Sequence, residues 1–333
     1  MAKRILTGIK PTGIAHVGNY FGAIKPAIEL SKNKDFDCFY FIADYHALTS
    51  LKSAEELTEY TYNIVCSWLA CGLDPDRVVL YKQSDVPEIF ELNWILNNVT
   101  PKGLMNRAHA YKAQVEKNET NGEDKDYGVN MGLYNYPVLM SADILAFNSD
   151  LVPIGQDQKQ HIEIARDIAN AFNHKYGKAF TLPDGYIQED AGIIVGLDGI
   201  KKMSKSYNNT IPLFCEEKAL KKLINRIVTD SSAPEEPKGL DNAIYKLYKL
   251  FASEEQKIEF ERKLTTGIGW GQAKAELFEV MNNYLKDMRE KYNYLQANRE
   301  IVDKILKDGA EKARAYAKQQ LKVVRKLMGV VEV

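Results

Sequence analysis

Two segments of the sequence contain residue types suited to binding a nucleotide. The first is residues 8–20, which carries His16 and the glycines Gly8, Gly13 and Gly18, follows the first predicted strand and precedes a helical pattern. Glycines at the carboxyl end of a parallel strand let the backbone approach a nucleotide, and a helix N-terminus favours phosphate. A glycine-rich connection with an incidental histidine is the alternative, and this segment alone does not decide between them.

The second segment is residues 199–209, in which Lys202 and Lys205 are separated by Met203 and Ser204. Two lysines on a loop that begins with Gly199 can close over a triphosphate and neutralise the charge that shifts as pyrophosphate departs. A basic surface loop without such a role is the alternative. The presence of both segments in one chain favours nucleotide chemistry.

The elements that must position these segments alternate in type along the first half of the chain. Short β-branched or aromatic runs predict strands, and longer apolar periodicities predict helices. We predict strands at residues 4–7, 38–43, 78–82 and 151–154, and helices at residues 53–71, 85–98 and 157–176, the last with Asp157 at its N-terminus. Such alternation indicates a parallel sheet covered on both faces. Pro26 lies inside an apparent helix that begins near Val17, so that helix should kink or start late.

After Asn209 the apolar spacing is almost entirely helical, at residues 220–228, 244–251, 255–264, 273–292 and 301–328. The predicted fold class is therefore α/β: a Rossmann-like, doubly wound parallel sheet with a C-terminal α-helical domain. We divide the chain into residues 1–195 and 196–333. The polar stretch at residues 116–126 is expected to be a mobile surface loop.

Composition excludes some classes of protein. A formal net charge of −1 over 333 residues rules out a strongly basic molecule, so any contact with nucleic acid must come from local patches. The four cysteines have neither CxxC nor zinc-site spacing, which predicts reduced thiols, no disulfide and no structural metal. No apolar run has the length of a membrane span, and we expect a cytoplasmic protein without membrane contact.

Both nucleotide segments resemble family signatures. His16-Val17-Gly18-Asn19 is similar to the HIGH motif, and residues 202–206 to the KMSKS motif, of class I aminoacyl-tRNA synthetases. Residues 136–145 and 152–161 resemble blocks that are characteristic of the tryptophanyl branch of that family, as do the shorter segments 44–47 and 227–231. The resemblance therefore covers nearly the whole chain.

What the resemblance implies is an enzyme that joins L-tryptophan to tRNA(Trp). It would use ATP to form tryptophanyl-AMP and pyrophosphate, then transfer tryptophan to the 3′ end of the tRNA. Asp143 matches the position that accepts the indole N–H, which is a donor only. Met140 and Ile154 would pack the indole, while Tyr136 and Gln158 match positions near the ammonium group. The implied tryptophan site is completed by Leu6, Gly8 and His46.

The same resemblance implies the ATP contacts. The residues assigned to ATP are Lys10, Pro11, Thr12, His16, Gly18, Asn19, Gly155, Asp157, Ile194, Lys202, Met203, Ser204 and Lys205. Those assigned to catalysis are His16, Lys202, Ser204, Lys205 and Lys112. The tryptophan carboxylate is itself the nucleophile, so no general base is required. Mg²⁺ is expected on the phosphates, held mostly by ATP and water.

Several of these residues have other readings. Asp143 would be an ordinary helix-terminus or salt-bridge aspartate without residues 136–140 around it, and His46 could be a core histidine. Lys10 stands where the family commonly has glutamine. Gln114 replaces the second lysine of a frequent Lys-x-Lys pattern, and Lys112 could belong to a solvated helix face.

The resemblance also implies a homodimer, bridged by tRNA, with a dimerisation insertion at about residues 85–135. The apolar segment 89–104 could form that interface. The helical domain would read the anticodon, and its last helix could pack back on the catalytic domain. The basic residues of that helix could be a phosphate-binding surface or a solvated one.

Three alternative interpretations assign the chain to other kinds of protein. A tyrosyl-tRNA synthetase would share both nucleotide motifs but lack the block at residues 136–145. Small nucleotidyltransferases with an HxGH loop are shorter and have no KMSKS loop before a helical domain. A catalytically silent RNA-binding paralogue has no need of His16, Lys202, Ser204 and Lys205.

Overall fold

The structure is a computed structural model that describes residues 2–51, 53–155, 158–187 and 194–330. Its centre is a five-stranded parallel sheet in the order β3-β2-β1-β4-β5. The strands are β1 (Lys3–Ile9), β2 (Phe36–Ile42), β3 (Val78–Lys82), β4 (Leu151–Ile154) and β5 (Asp184–Ile187). The strand order reverses between β1 and β4, which confirms the doubly wound fold predicted from the sequence.

The two faces of the sheet belong to different hydrophobic cores. In β2, Cys38, Tyr40 and Ile42 enter one core while Phe39 and Phe41 enter the other. Such a continuous apolar run is typical of a parallel strand buried on both sides. We name these the first core and the second core.

The chain leaves β1 through a short, irregular helical segment. His16 caps α1 (Val17–Asn19), a π-helical turn covers Tyr20–Ile24, and α2 (Lys25–Ser31) carries Pro26 in its first turn. Proline has no N–H to donate to the preceding turn, and the π-helical turn adjusts the backbone directly before it. The irregularity predicted at Pro26 is therefore present.

Within the described residues, seven further α-helices lie between Asp44 and Tyr176. They are α3 (Asp44–Ala47), α4 (Ala54–Ala70), α5 (Glu88–Asn97), α6 (Lys102–Met105), α7 (His109–Thr120), α8 (Met131–Leu145) and α9 (Lys159–Tyr176). The prediction of a mobile loop over residues 116–126 was wrong for its first part, since residues 116–120 form the last turn of α7. Asp157, predicted to begin α9, lies outside the described residues.

The second half of the chain is helical, as predicted. Its helices are α10 (Glu217–Asn225), α11 (Ala243–Phe251), α12 (Glu254–Thr266), α13 (Trp270–Ala297) and α14 (Arg299–Met328). They pack on the first core, where the ring of Phe21 meets that of Phe251 edge to face at a centroid distance of 5.0 Å. The helical half and the sheet therefore share one apolar interior.

The last helix crosses the edge of the sheet. Val302 and Leu306 of α14 belong to the first core, whereas its residues from Ala310 to Val324 belong to the second. Between them, Gly309 lies so close to edge strand β3 that a Cβ there would be 1.8 Å from the Leu80 carbonyl oxygen. Because α14 contributes to both cores, it joins the two sides of the sheet.

Ion pairs fasten the same helix to α5. Arg314 pairs with Glu88 at 3.0 Å and Arg325 with Glu91 at 2.5 Å. These two arginines of the basic last helix thus contact carboxylates of the first half. Within the described residues, no helix is long and apolar enough to cross a membrane.

Candidate active site

A cavity of about 440 Å³ opens at the carboxyl ends of β1 and β4, where the strand order reverses. Crevices at this point of a doubly wound sheet are the usual ligand sites of the fold. All eight residues predicted for the amino acid line it: Leu6, Gly8, His46, Tyr136, Met140, Asp143, Ile154 and Gln158. Lys10 also lies on its wall.

Gly8 shapes the floor of this cavity. A Cβ at Gly8 would lie 2.5 Å from the ring of Phe41, which also lines the cavity. Only glycine therefore lets the aromatic ring of β2 close over the end of β1.

Asp143 is fully buried in α8 and faces the cavity. Its Oδ2 lies 2.9 Å from Nε2 of His46, and the side-chain amide nitrogen of Gln83 is 2.8 Å from Oδ1 and 3.0 Å from Oδ2. Burial raises the pKa of Asp143, and the contacts with His46 and Gln83 partly offset that rise. Most of the other residues that line the cavity are apolar.

The turn that follows β3 holds a second buried carboxyl as well. Ser84, next to Gln83, bonds both oxygens of Asp44, through its N–H at 3.1 Å and its hydroxyl at 2.5 Å. Burial raises the pKa of Asp44 while these hydrogen bonds lower it. Since Asp44 begins α3, the helix that carries His46, one turn fixes both partners of Asp143.

Further polar groups line the cavity. The Lys10 ammonium donates to Oγ1 of Thr49 at 2.9 Å, and burial lowers the pKa of Lys10. The Tyr136 hydroxyl lies 2.7 Å from Nε2 of His161, and burial raises the pKa of Tyr136. These groups can meet the charged end of an amino acid.

The two nucleotide segments lie against each other beside the cavity. The N–H of Gly18 points to Sδ of Met203 at 3.4 Å, and backbone bonds join Ala15 and Val17 to Leu213 and Ile211. The Lys205 ammonium donates to the Thr12 carbonyl at 3.3 Å. The lysine loop thus closes onto the segment that links β1 to α1.

Asn209 organises the lysine loop. It accepts the Ser204 N–H at 2.8 Å and donates to Asp198 at 2.8 Å. At its other end the loop is held by the N–H of Met203, which donates to the Ile194 carbonyl at 2.7 Å. Lys202 and Lys205 are exposed residues on this frame, and the Lys205 ammonium is partly covered where it donates to the Thr12 carbonyl.

His16 is held in a capping box. Its ring accepts from the N–H of Asn19 at 3.3 Å, and the Asn19 side chain accepts from the N–H of His16 at 3.1 Å. Burial, with the nearby charges of Lys205 and Lys202, lowers the pKa of His16 from 6.5 to about 4. The imidazole is therefore neutral at physiological pH.

The remaining predicted residues are distributed as follows. Pro11 is buried beside Thr12, and Gly155 is exposed directly after β4, while Asp157 is outside the described residues. Lys112 is exposed on α7, 3.7 Å from Glu116, and lies away from the cavity lining, to which its helix contributes Ala110.

Sequence reasoning missed Gln83, Ser84, Thr49 and His161 as residues of this site. Gln83 and Ser84 follow β3 directly, so their place at the carboxyl edge of the sheet was the available signal. Among the described residues, no group of three His, Cys, Asp or Glu side chains could hold a metal ion.

A parallel sheet of this order, with a cavity and a glycine-rich loop at its carboxyl edge, defines a Rossmann-like nucleotide-binding protein. Residues 2–286 match the family model described as tRNA synthetases class I (W and Y). The chain therefore belongs to the class I tRNA synthetases for tryptophan and tyrosine.

Several proteins that the chain resembles are tryptophan–tRNA ligases. The chain is 50% identical over 330 residues to a tryptophan–tRNA ligase of Neisseria meningitidis, covering 98% of both proteins. It is 51% identical to that of Pseudomonas aeruginosa, covering 99% of this chain and 74% of the relative. A crystal structure of tryptophanyl-tRNA synthetase from Campylobacter jejuni complexed with ADP and tryptophan is similar with a TM-score of 0.90 and 45% identity, over 98% of this chain and 99% of that chain.

Proposed function

We propose that this enzyme activates L-tryptophan with ATP, forming tryptophanyl-AMP and pyrophosphate, and transfers tryptophan to the 3′ end of tRNA(Trp). The observation that carries the proposal is Asp143, a buried carboxyl on the wall of an otherwise largely apolar cavity. An indole offers one donor and no acceptor, so a carboxylate acceptor within apolar walls suits tryptophan. The relatives at about half identity support the same substrate.

In the bound state the indole ring lies between Met140, Ile154 and the ring of Phe41, all on the cavity lining. Its N–H donates to the carboxylate of Asp143. Phenylalanine fills part of this space but leaves the buried carboxylate without its donor, which makes it a poor substrate.

The ammonium and carboxylate of tryptophan lie beside the polar groups that line the cavity. Tyr136 and Gln158 receive the ammonium group, and the Lys10 ammonium is well situated to pair with the carboxylate. Lys10 thereby replaces the glutamine that the family commonly has at this position.

ATP binds across the two loops. His16, Gly18 and Asn19 contact phosphates and ribose, Gly155 and Asp157 the ribose, and Lys202, Ser204 and Lys205 the departing pyrophosphate. The residues Pro11, Thr12, Ile194 and Met203 complete this site. A neutral His16 donates a hydrogen bond to phosphate without adding a third positive charge beside the two lysines. Mg²⁺ arrives on the ATP phosphates and needs no cage of protein ligands.

Catalysis consists of positioning and charge stabilisation. The tryptophan carboxylate attacks the α-phosphorus, and the bond to pyrophosphate breaks. Lys202 and Lys205 neutralise the charge that develops on the leaving group, an effect realised in the transition state. The role of Lys112 as an auxiliary phosphate ligand rests on the family resemblance alone, since its ammonium lies 3.7 Å from Glu116 and away from the cavity lining.

Residues 1–195 form the catalytic unit and residues 196–333 the lysine loop and the anticodon-binding unit, with an insertion at about residues 85–135 for dimerisation. In the described residues the apolar side chains Ile89, Leu92 and Leu96 are buried within the chain itself, whereas Trp94 is 71% exposed. Exposed Trp94 supports a homodimer across α5. Because a tRNA ligase works where translation occurs, we place the enzyme in the cytoplasm.

The test is ATP–pyrophosphate exchange measured with tryptophan, tyrosine, phenylalanine and no amino acid, followed by charging of tRNA(Trp). Exchange should depend on tryptophan, and charging should require the same amino acid. Exchange that depends on tyrosine instead would move the enzyme to the tyrosyl branch. If neither exchange nor charging is observed, the proposed activity is wrong and the chain is a catalytically silent RNA-binding paralogue.

A further inference from the structure

Gln83 contacts the carboxyl group of Asp143 but does not line the cavity. It is fully buried at the start of the turn Gln83–Asp85. Its amide nitrogen lies 2.8 and 3.0 Å from the two oxygens of Asp143. Within the described residues, the Gln83 side chain has hydrogen bonds only with Asp143. The side-chain oxygen Oε1 has no hydrogen-bond partner.

Burying an amide whose oxygen lacks a partner is costly. The contact with Asp143 is what compensates that cost, since a carboxylate is the strongest acceptor that the amide can find. His46 approaches Oδ2 from a second direction at 2.9 Å. Two donors on separate elements fix the plane of the carboxyl group.

We propose that Gln83 is a positioning residue for amino-acid selection: its amide nitrogen bridges both oxygens of Asp143 and holds the carboxylate so that one lone pair faces the indole N–H. This inference rests on the proposed function, because it takes Asp143 as the acceptor. Gln83 acts through Asp143 and makes no contact with the substrate.

The orientation of the Gln83 side-chain amide decides whether its interaction with the Asp143 carboxylate is attractive or repulsive. The NH₂ group donates to a carboxylate, whereas an oxygen in the same place would repel it. Gln83→Glu keeps the shape and replaces the amide by a carboxyl that repels Asp143 once both are ionised, and Gln83→Leu removes both polar atoms. The pair of variants therefore separates loss of the hydrogen bond from repulsion between two carboxylates.

The experiment is pyrophosphate exchange with two substrates, tryptophan and an analogue in which sulfur replaces the indole N–H. Gln83→Leu should lower kcat/KM for tryptophan roughly 10- to 100-fold, the range for removing a hydrogen bond from a buried charged group. Turnover of the analogue, which donates nothing to Asp143, should change little, and the KM for ATP should stay constant. The preference for tryptophan over the analogue therefore shrinks.

The Gln83→Glu variant is tested by the pH dependence of tryptophan activation. Two carboxyls in contact share a proton at low pH and repel each other once both are ionised. Tryptophan activation by Gln83→Glu should fall as pH rises through a range in which wild type is constant. A pH profile parallel to that of wild type would contradict the positioning role.

Two reference variants make the outcomes distinct. Ser141→Ala removes a fully buried hydroxyl of the same helix that bonds the Pro137 carbonyl at 2.8 Å, and it should preserve the preference for tryptophan. Asp143→Ala should abolish that preference. If Asp143→Ala abolishes it and Gln83→Leu leaves it intact, Gln83 has no positioning role. If wild type itself accepts both substrates equally, the proposed reading of the indole by Asp143 fails.

Discussion

Lys205 is the residue through which the lysine loop reaches the first nucleotide segment. Its ammonium donates to the Thr12 carbonyl at 3.3 Å, and a Cβ at Gly13 would lie 2.8 Å from the same nitrogen. Partial burial lowers its pKa. A phosphate group that replaced the carbonyl would give Lys205 a charged partner in the same place.

We predict that Lys205→Ala lowers tryptophan-dependent pyrophosphate exchange by about two orders of magnitude or more, because a charged donor realised in the transition state supplies about 3 kcal/mol. The KM for ATP should change far less. The matched control is Lys201→Ala, which removes an exposed lysine of the same loop whose ammonium lies over the ring of Tyr207 at 4.8 Å. Equal effects of both variants on exchange would argue against a specific role for Lys205.

His16 makes stability depend on pH. Its pKa is about 4 in the folded protein and 6.5 when it is free of burial and of the two lysines. The unfolded chain therefore binds the proton more readily, and the folded state loses stability as pH falls from 6.5 to 4. His16→Gln should show a shallower decline over that range, measured by urea unfolding at several pH values.

ATP should also shift this titration. The phosphates bring negative charge beside His16 and offset the two lysines, so the pKa of His16 should rise when ATP binds. Titration of the imidazole C–H resonances with and without ATP measures this directly. A pKa that does not respond to ATP would place the phosphates away from His16.

At the level of elements, apolar pattern was a sufficient signal where an element is buried on both sides. Strands β2 and β3 are rich in aromatic and β-branched residues, and β3 and β4 were predicted with the bounds that the structure has. Strand β5 was missed because it is short and reads Asp-Gly-Tyr-Ile, with two residues that disfavour strands. Helix α7 was missed because most of its side chains are polar and face solvent.

The candidate site was predicted unevenly for a similar reason. Asp143, Met140 and Tyr136 stand at i, i−3 and i−7 on one helix, so a local block of sequence carried them together. Gln83 is 60 positions from Asp143, and only the pairing of β2 with β3 brings its turn to the same edge. Contacts of that kind leave no local pattern in a single sequence.

Gly309 tests the crossing of α14 over β3. Gly309→Ala should lower the free energy of unfolding by about 1–3 kcal/mol, because the added methyl group meets the Leu80 backbone and the helix must move. Gly271→Ala is the matched control, since a Cβ there meets nothing within 4 Å in the first turn of α13. Urea unfolding of both variants measures the difference. A Gly309→Ala protein as stable as Gly271→Ala would contradict the close approach.

At the scale of the whole molecule, the proposed homodimer requires a surface that pairs with a second copy. Tyr45 is 44% exposed and its ring lies 4.6 Å from that of Phe90, and Trp94 follows Phe90 by one helical turn on α5. We call Tyr45, Phe90 and Trp94 the aromatic patch. Exposed aromatic groups in one patch are typical of protein interfaces, and a two-fold dimer brings the same patch together from both copies.

If α5 forms the interface of the proposed dimer, Trp94→Glu should be monomeric at micromolar concentration where the unaltered protein is dimeric, as seen by sedimentation velocity. Tyr294→Glu, which alters a 58% exposed aromatic residue of α13, is the control and should stay dimeric. Dimers of unchanged stability in Trp94→Glu would exclude the aromatic patch as the interface.

The path of α14 has a consequence for how the protein is made on the ribosome. All five strands have been synthesised by residue 187, yet the helix that crosses the β3 edge occupies Arg299–Met328, at the end of the described chain. Until those residues leave the exit tunnel, the nascent sheet keeps an open strand edge, which can pair with other chains. A premature stop at position 299, which removes α14 and the residues after it, should therefore yield aggregated protein, although every residue of the cavity has been translated.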